Sequence, residues 1–213
     1  MNNNAFATPE PIAITVDVLY GNVTVIASDR TDTVVDIRPT DQSKRDDVRA
    51  ATHTQVDFSG GTLTVKTPKG WRTYTPFSGN PSIEVTVQVP TGSRLNAIAG
   101  MGVLRSVGEL GPCELEIAAG DISVDRVRGS VSAKTAKGNI RIGAASHGVL
   151  QLETCMGELE VGISPGSAAR LETGTRNGSV HNQLAAVGEA QDIVQVYARN
   201  SYGNIIIGHA VAV

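Results

Sequence analysis

Two segments decide the fold: CELEIAAGDISV, residues 113–124, and VSAKTAKGNIRI, residues 131–142, which begins 18 residues later. In both segments apolar and polar side chains alternate on each side of a central glycine. Alternation with a period of two is typical of a strand that has one buried face and one exposed face. Each segment is therefore predicted to form two short strands that meet at the glycine.

The same step recurs six times along the chain. The glycines are Gly102, Gly120, Gly138, Gly157, Gly178 and Gly203, at intervals of 18, 18, 19, 21 and 25 residues. An apolar residue stands seven positions before each of them: Leu95, Cys113, Val131, Leu150, Leu171 and Val196. Repeats this short indicate the turns of a wound sheet, and a residue without a Cβ suits each corner. We predict an all-β solenoid in which these apolar residues share one buried column.

The first 92 residues are rich in strand patterns but do not clearly follow the repeat. We predict an irregular β-rich lead-in over 1–92 that caps the solenoid repeats of 93–213, the two forming one continuous structural unit. The one helix candidate runs from Ser43 to about Ala50, with Ser43 as its cap and Asp46 and Asp47 in its first turn.

Composition argues against several functional classes. The net charge is −3, aromatic residues are 4% of the chain, and no Lys/Arg cluster lies beside aromatic residues, which argues against nucleic acid. No apolar run approaches the roughly 20 residues of a membrane span. The first residues lack the basic start and apolar stretch of a signal peptide, so we expect a cytoplasmic protein with no membrane contact.

Cysteine and histidine spacing predicts neither a metal site nor a cofactor. Cys113 falls in the apolar column, and Cys155 aligns with Ala118 and Ala136, so both are predicted to be small apolar fillers rather than a disulfide or a nucleophile. The four histidines are scattered. Acidic and amide side chains stack on the outside at Asp121, Asn139 and Glu158. They are predicted to be a solubilising ladder, with catalysis by carboxylates as the weaker alternative.

The chain resembles a known bacterial family. The segments that carry the resemblance are FATPEPI at 6–12, GNVTVIASDRTDTVV at 21–35, KTPKGWRTYTPF at 66–77, the repeated glycine steps of which Gly-Asp-Ile-Ser-Val at 120–124 is one, and SYGNI at 201–205. They are similar to the actinobacterial-type β-strand-repeat family of unknown function that is labelled "putative adhesin". The resemblance covers nearly the whole chain and implies a single-stranded right-handed β-helix.

Two places are candidate binding sites. Trp71 and Tyr74, with Arg72 between them, combine rigid aromatic rings with a guanidinium group, as ligand or partner pockets do. A structural plug between the lead-in and the solenoid is the competing interpretation of this loop. Val103 stands where the family usually has an acidic residue or Asn, and it is predicted to face outward as an apolar contact. The candidate site is completed by Met101 and Arg105.

The last coil suggests a contact between subunits. Ile206 occupies a position that is Ser, Arg, Glu or His in earlier coils, so both faces of this coil are apolar. We predict that this coil ends the stack, and a terminal coil presents unpaired backbone groups at an edge that must be covered. We expect a homodimer formed through Ile206, Val211 and Val213. The alternative is that the lead-in strands or the tail over residues 210–213 cover this edge within one chain.

Two functional classes follow from these features. The first is a non-enzymatic cytoplasmic scaffold or protein-interaction module. The alternative is a small-molecule enzyme, a cyclase or isomerase of an apolar substrate in secondary metabolism, which would act by shape and desolvation in a pocket beside Trp71 and Met101. A deep cavity lined by these residues would favour the enzyme.

Overall fold

The computed structural model describes residues 2–68, 80–185 and 192–210. Within those ranges it contains one helix, α1 (Arg45–His53), and seventeen strands. The strands are β1 (Asn2–Ala7), β2 (Ala13–Ser28), β3 (Asp32–Pro39), β4 (Gln55–Ser59), β5 (Thr62–Lys66), β6 (Ile83–Pro90), β7 (Arg94–Leu110), β8 (Cys113–Ala119), β9 (Ile122–Val127), β10 (Val131–Lys137), β11 (Ile140–Ala145), β12 (Gly148–Met156), β13 (Leu159–Ile163), β14 (Ala168–Asn177), β15 (Val180–Asn182), β16 (Ile193–Tyr202) and β17 (Ile205–His209).

The strands wind into a stack of eight parallel coils in the described part of the chain. Each coil contributes one strand to face I and one to face II, and the long strands β2 and β7 each form a whole coil that turns at Gly21 or Gly102. In spatial order they are coil 1 (β5, β6), coil 2 (β2), coil 3 (β7), coil 4 (β8, β9), coil 5 (β10, β11), coil 6 (β12, β13), coil 7 (β16, β17) and coil 8 (β14, β15). At about 4.8 Å per coil the stack rises about 34 Å.

The predicted buried column is confirmed. Val131 pairs with Cys113 on one side and with Leu150 on the other, and the three side chains are 1%, 5% and 0% exposed. The column extends through all eight coils as Leu63, Ile14, Leu95, Cys113, Val131, Leu150, Val196 and Leu171. Because each side chain lies on the next, the interior is one continuous aliphatic core rather than a set of separate clusters.

The glycine corners bring successive coils unusually close together. Gly120 has a φ of +139°, and a Cβ placed there would overlap the carbonyl oxygen of Gly102 in the coil beside it. Gly138 repeats this relation to Gly120. Thr135, inside the coil, donates from Oγ1 to the carbonyl oxygen of Gly120 at 3.2 Å. The corner therefore needs glycine both for its backbone angle and for the space that a side chain would take.

Spatial order departs from chain order at both ends of the stack. Coil 2, the first coil in the chain, lies between coil 1 and coil 3. Coil 7, the last coil in the chain, lies between coil 6 and coil 8. Asn200 of coil 7 accordingly donates from Nδ2 to the carbonyl oxygen of Gly157 in coil 6, at 2.9 Å. The predicted boundary at residue 92 falls in the turn before β7, and β2 pairs with strands on both sides of it.

The coil 1 end is capped by elements that do not follow the repeat. β4 pairs antiparallel with β5 on face I, and on face II β3 pairs antiparallel with β6 and with β1. The rings of Phe6 and Phe58 meet across the two faces, with their centroids 5.2 Å apart. α1 packs against β3 and β6. The elements outside the repeat thus close the core at this end.

α1 begins two residues later than predicted, and Ser43 is not its cap. The N-cap position is Lys44, without a side-chain bond, while Ser43 donates from Oγ to Asp41 Oδ1 at 2.6 Å. Asp46 and Asp47 lie in the first turn as predicted. Asp47 is 3% exposed and accepts the backbone N–H groups of Ser82 and Asp41, at 2.9 and 3.1 Å. This buried carboxylate holds the start of α1 to the chain that enters β6.

The coil 8 end has no equivalent cap in the described part of the chain. There β14 pairs only with β16, and β15 only with β17. Leu171 of β14 is half-buried, although its column neighbours Val196 and Leu150 are 1% and 0% exposed. The two ends of the stack therefore differ in how their last inward side chains are covered.

Candidate functional site

Coil 3 presents an apolar outer surface that we call the coil 3 belt: Ile98, Met101, Val103 and Val107. These side chains are 47%, 49%, 38% and 37% exposed. All four belong to β7, whose inward positions carry Leu95, Leu104 and Leu110. Since successive residues of a strand point to opposite faces, the outward positions between them reach solvent. One strand thus carries apolar side chains inside and outside.

At Ile98 and Val103 the adjoining coils carry polar residues, whereas Val107 pairs with Ile26 of coil 2. Ile98 lies between Asp17 of coil 2 and Glu116 of coil 4. Val103 is paired with Asn22 of coil 2. A contiguous apolar surface with a polar rim is typical of a contact site, whereas single exposed apolar residues are ordinary. At Ile98 and Val103 the belt therefore differs from the polar columns in which these residues lie.

Three of the candidate site residues share this surface. Met101 pairs with Tyr20 and with Ala119, and Arg105, which is exposed, pairs with Thr24 and with Ser123. Val103, between them in sequence, faces outward as predicted. The other three candidates, Trp71, Arg72 and Tyr74, lie outside the described residues. The described chain before and after them, at Lys66 and Ile83, pairs with Asp17 and Gly21 of coil 2.

A shallow groove of about 580 Å³ lies on face I, on the same outer surface as Ile98. Asn96, two residues before Ile98, lines it and donates from Nδ2 to Glu114 Oε2 at 3.2 Å. Its rim also includes Arg94, Ser132 and Gln151. This groove was not predicted from the sequence. Its signal was present in the polar residues six positions before each glycine, which form one outward column across coils 3 to 6.

The acidic and amide stack at the corner is engaged in backbone hydrogen bonds. Asp121 Oδ1 accepts the N–H of Asn139 at 2.7 Å, and Asn139 Oδ1 accepts the N–H of Glu158 at 2.8 Å. Asn204 Oδ1 repeats the pattern with the N–H of Ser179, at 3.1 Å. Each side chain thus binds the next coil at the corner. This arrangement gives the ladder a structural role in addition to the predicted solubilising one.

The last coil in the chain is not the end of the stack, so the premise for a contact at Ile206 is wrong. Ile206 lies in β17, where it pairs with Glu160 of coil 6 and His181 of coil 8. Its strand has a parallel partner on both sides, and the side chain is half-buried. Val211 and Val213 lie outside the described residues.

The two cysteines occupy different environments. Cys113 lies in the buried column as predicted, and burial raises the pKa of its thiol to about 12. Cys155 is exposed, in an outward column, so the prediction of a core filler is wrong for this residue. Both are free thiols. Beside Cys155 lies a second apolar corner that the sequence analysis did not identify: Met156 and Tyr202, paired across coils 6 and 7 and 52% and 58% exposed.

Two further observations describe the site's surroundings. Within 2–68, 80–185 and 192–210, no three His, Cys, Asp or Glu side chains come together in a way that would hold a metal ion. The described part of the chain also contains no helix of the length and apolarity needed to cross a membrane.

Comparison with known proteins gives a likeness of fold. No family model and no curated protein matches the chain. A structure described as a "putative cell adhesion protein" from Clostridium sporogenes is 12% identical, with a TM-score of 0.55, over 98% of this chain and 99% of that one. A "putative adhesin" from Bacteroides fragilis is 11% identical, with a TM-score of 0.42, over 97% and 96% of the two chains. At this level of identity the likeness to the Clostridium sporogenes structure is one of fold alone.

Proposed function

We propose that this protein is a non-enzymatic scaffold or interaction module that binds a protein partner through the coil 3 belt. The observation that carries the proposal is the exposure of four large apolar side chains on one coil. Two of them, Ile98 and Val103, are paired with polar residues of the adjoining coils. An apolar centre inside a polar rim is the usual composition of a protein interface. Asn96, Arg94 and Glu114 of the adjoining groove supply hydrogen-bonding groups at that rim.

The stack suits such a role because it holds the belt rigid. Ile98, Met101 and Val103 are carried by a strand that has a parallel partner along both edges. Little backbone freedom is left for a partner to restrict, so binding costs less conformational entropy than it would on a loop. A rigid surface also keeps the spacing of the four side chains fixed.

Three further points belong to the same proposal. We assign the chain to the β-strand-repeat family labelled "putative adhesin", and the fold likeness supports this assignment. We propose right-handed winding of the coils, because crossovers between parallel strands are right-handed in about 98% of cases. We propose a cytoplasmic location, which the two free thiols support, since reducing compartments keep thiols unpaired. Fractionation of the native cells tests the location, and recovery outside the cytoplasm would refute it.

Site-specific crosslinking tests the belt. A photoreactive amino acid is placed at Met101 or Val103, and irradiation is carried out in the native cells. Matched controls carry the same group at Lys134 or Lys137, which are exposed positions of coil 5, two coils away from Ile98 and Met101 in the same columns. We expect one or a few discrete crosslinked proteins from the belt positions, identified by mass spectrometry, and none of them from the controls.

A second variant pair connects the crosslink to the belt. In a chain that carries the photoreactive group at Met101, Ile98→Lys is expected to reduce the crosslinked yield at least tenfold, because the charge resists burial in an interface. Glu116→Lys, the neighbour in the same column, is the matched control and should retain most of the yield. Equal yields from belt and control positions would contradict the proposed function.

A further inference from the structure

We propose that β14, the outer strand of coil 8, pairs antiparallel with β14 of a second copy of this chain, about a two-fold axis at Leu171. The proposal concerns the end of the stack opposite the cap. It is independent of the coil 3 belt. It also differs from the dimer expected at Ile206, because coil 7, which contains Ile206, is an interior coil.

β14 has one free edge in the described part of the chain. It is ten residues long and runs in register with β16 on one side, from Ala168 opposite Ile193 to Asn177 opposite Tyr202. Neither β4 nor β1, which cover the opposite end, has a counterpart here among the described residues. A straight edge of this length is a template for another strand.

The hydrogen-bond pattern of β14 defines which residues are free to pair. The N–H of Ala168 donates to the carbonyl oxygen of Asp192, at 2.9 Å, so even-numbered residues bond to the β16 side. In a parallel ladder alternate residues bond to opposite neighbours. The odd-numbered residues Ala169, Leu171 and Thr173 therefore point their N–H and C=O groups away from β16. An antiparallel partner must bond to those residues.

Charge selects the register. Arg170 and Glu172 point outward on either side of Leu171, and both are exposed. A two-fold axis at Leu171 places Arg170 of each copy opposite Glu172 of the other, in the pairs whose side chains lie closest together. An axis at Arg170 or at Glu172 would instead place like charges opposite each other. An axis at Thr173 would oppose Arg170 to Arg176.

Glu172 already holds one guanidinium, because Arg199 of coil 7 donates from Nη2 to Glu172 Oε1 at 2.6 Å. A carboxylate has two oxygens and about four acceptor sites, so the second copy's Arg170 finds an acceptor on a side chain that is already held in place. For Arg170 no hydrogen bond or ion pair occurs among the described residues. The pairing would satisfy both groups.

The inward face favours the same axis. Leu171 is half-buried and Ala169 beside it packs only partly on the core. An axis at Leu171 brings the two leucines together and covers the last apolar step of the buried column. The competing axis at Gly174 would also match charges, Glu172 with Arg176, but it would bring together Thr173 and Thr175 and leave Leu171 near the edge of the contact. We therefore place the axis at Leu171.

The experiment is sedimentation equilibrium on the full chain, from 1 to 100 μM. We expect a dimer of twice 22.2 kDa. Arg170→Glu faces Glu172 of the other copy with a like charge, and it is expected to weaken the dimer at least tenfold. Glu172→Arg should do the same. Mixed in equal amounts, these two variants restore both charge pairs, and a heterodimer should form although neither variant dimerises alone.

Arg176→Glu is the matched control, because it lies on the same strand but outside the seven paired residues. It should leave the dimer unchanged, and thermal unfolding of the dilute monomer should be similar for all variants. A monomeric parent chain at 100 μM would overturn the proposal, as would a dimer that survives Arg170→Glu. Loss of the dimer in Arg176→Glu alone would also overturn it, and would assign the axis at Gly174.

Discussion

The two ends of the stack use the same chain route but finish differently. Coil 2, the first in the chain, and coil 7, the last in the chain, are each the second coil from an end of the stack. The outermost coils are coil 1 and coil 8, which are their neighbours in sequence. At the coil 1 end, antiparallel strands, α1 and the Phe6–Phe58 contact then close the core. At the coil 8 end, β14 and β15 are the outermost strands of the described chain, and Leu184, after β15, packs partly on the core. The repeat supplies coils, but closing an end requires residues from outside the repeat.

This difference has a physical cause. An interior coil has a similar coil on each side. These neighbours bury its apolar side chains and pair with its backbone groups. An outer coil lacks one neighbour, and each uncovered apolar side chain and free edge must find another cover. Phe6 and Phe58 provide large rings at one end, whereas Leu171 is the largest inward side chain of β14 at the other. The open end is thus the surface available for a second chain.

The largest expected difference comes from one substitution made in two coils. Gly120→Ala in the interior combines a φ of +139° with overlap of the carbonyl oxygen of Gly102, and both neighbouring coils prevent a shift. We expect it to lower the free energy of unfolding by more than about 4 kcal/mol, measured by urea denaturation.

Gly178→Ala in coil 8 is the comparison. Gly178 has no positive φ. Its added Cβ would overlap the carbonyl group of Gly203, on the one side where coil 8 has a neighbour, and would lie 3.1 Å from Thr175 Oγ1 of its own coil. The outer coil can move away, so the expected loss is about 1 kcal/mol. Equal losses at the two positions would show that coil 8 is held as tightly as an interior coil.

Truncation of the cap gives the next largest effect. Phe58→Ala removes one ring of the contact that joins the two faces, and we expect it to lower the free energy of unfolding by about 3 kcal/mol. Leu171→Ala at the open end should cost about 1 kcal/mol, because half of that side chain is already in water under dilute, monomeric conditions. A larger loss for Leu171 than for Phe58 would reverse the assignment of capped and open ends.

Much of the interior could be predicted from the sequence, because a coil between two similar coils has only one register that buries its apolar side chains. The inward column through Cys113, Val131 and Leu150 was predicted correctly. Ser106 interrupts the apolar pattern four residues after Gly102, yet it is 3% exposed and accepts the N–H of Asp125, at 3.4 Å. Position within the repeat thus determined its burial more strongly than its polarity.

The ends could not be predicted in the same way. β12, β14 and β16 share one alternation, so each fits equally well against either of the others, and nothing local fixes their order. The prediction that coil 7 ends the stack failed for this reason. The prediction for Cys155 failed for another reason. Cys155 aligns with alanines that face outward, and small side chains do not distinguish a crowded interior from an exposed corner. The face I groove is lined by residues of four coils, so no single repeat encodes it.

A smaller effect tests how α1 is attached to the capped end. Asp47→Ala leaves the N–H groups of Ser82 and Asp41 without their acceptor in a buried setting. Unsatisfied buried donors cost about 1–3 kcal/mol, so we expect a loss of about 2 kcal/mol in the free energy of unfolding. Asp46→Ala, an exposed residue of the same helical turn, is the control and should change it by less than about 0.5 kcal/mol. Similar losses for both would show that the buried carboxylate does not anchor the helix.

The smallest expected effect is on the pH dependence of stability, and it comes from Cys113 in the buried column of the interior. Burial raises the pKa of Cys113 to about 12 from an ordinary value of 9.0, so the folded state keeps a proton that the unfolded state loses above pH 9. Stability from this group is therefore complete below about pH 9 and is lost as the pH rises towards 12. Urea denaturation at pH 8 and pH 10.5 should show a larger decrease for the parent chain than for Cys113→Val. At pH 8 a thiol reagent should modify the exposed Cys155 at once and Cys113 only after unfolding. Equal rates for the two thiols would mean that the reagent reaches the buried column as readily as the outer surface.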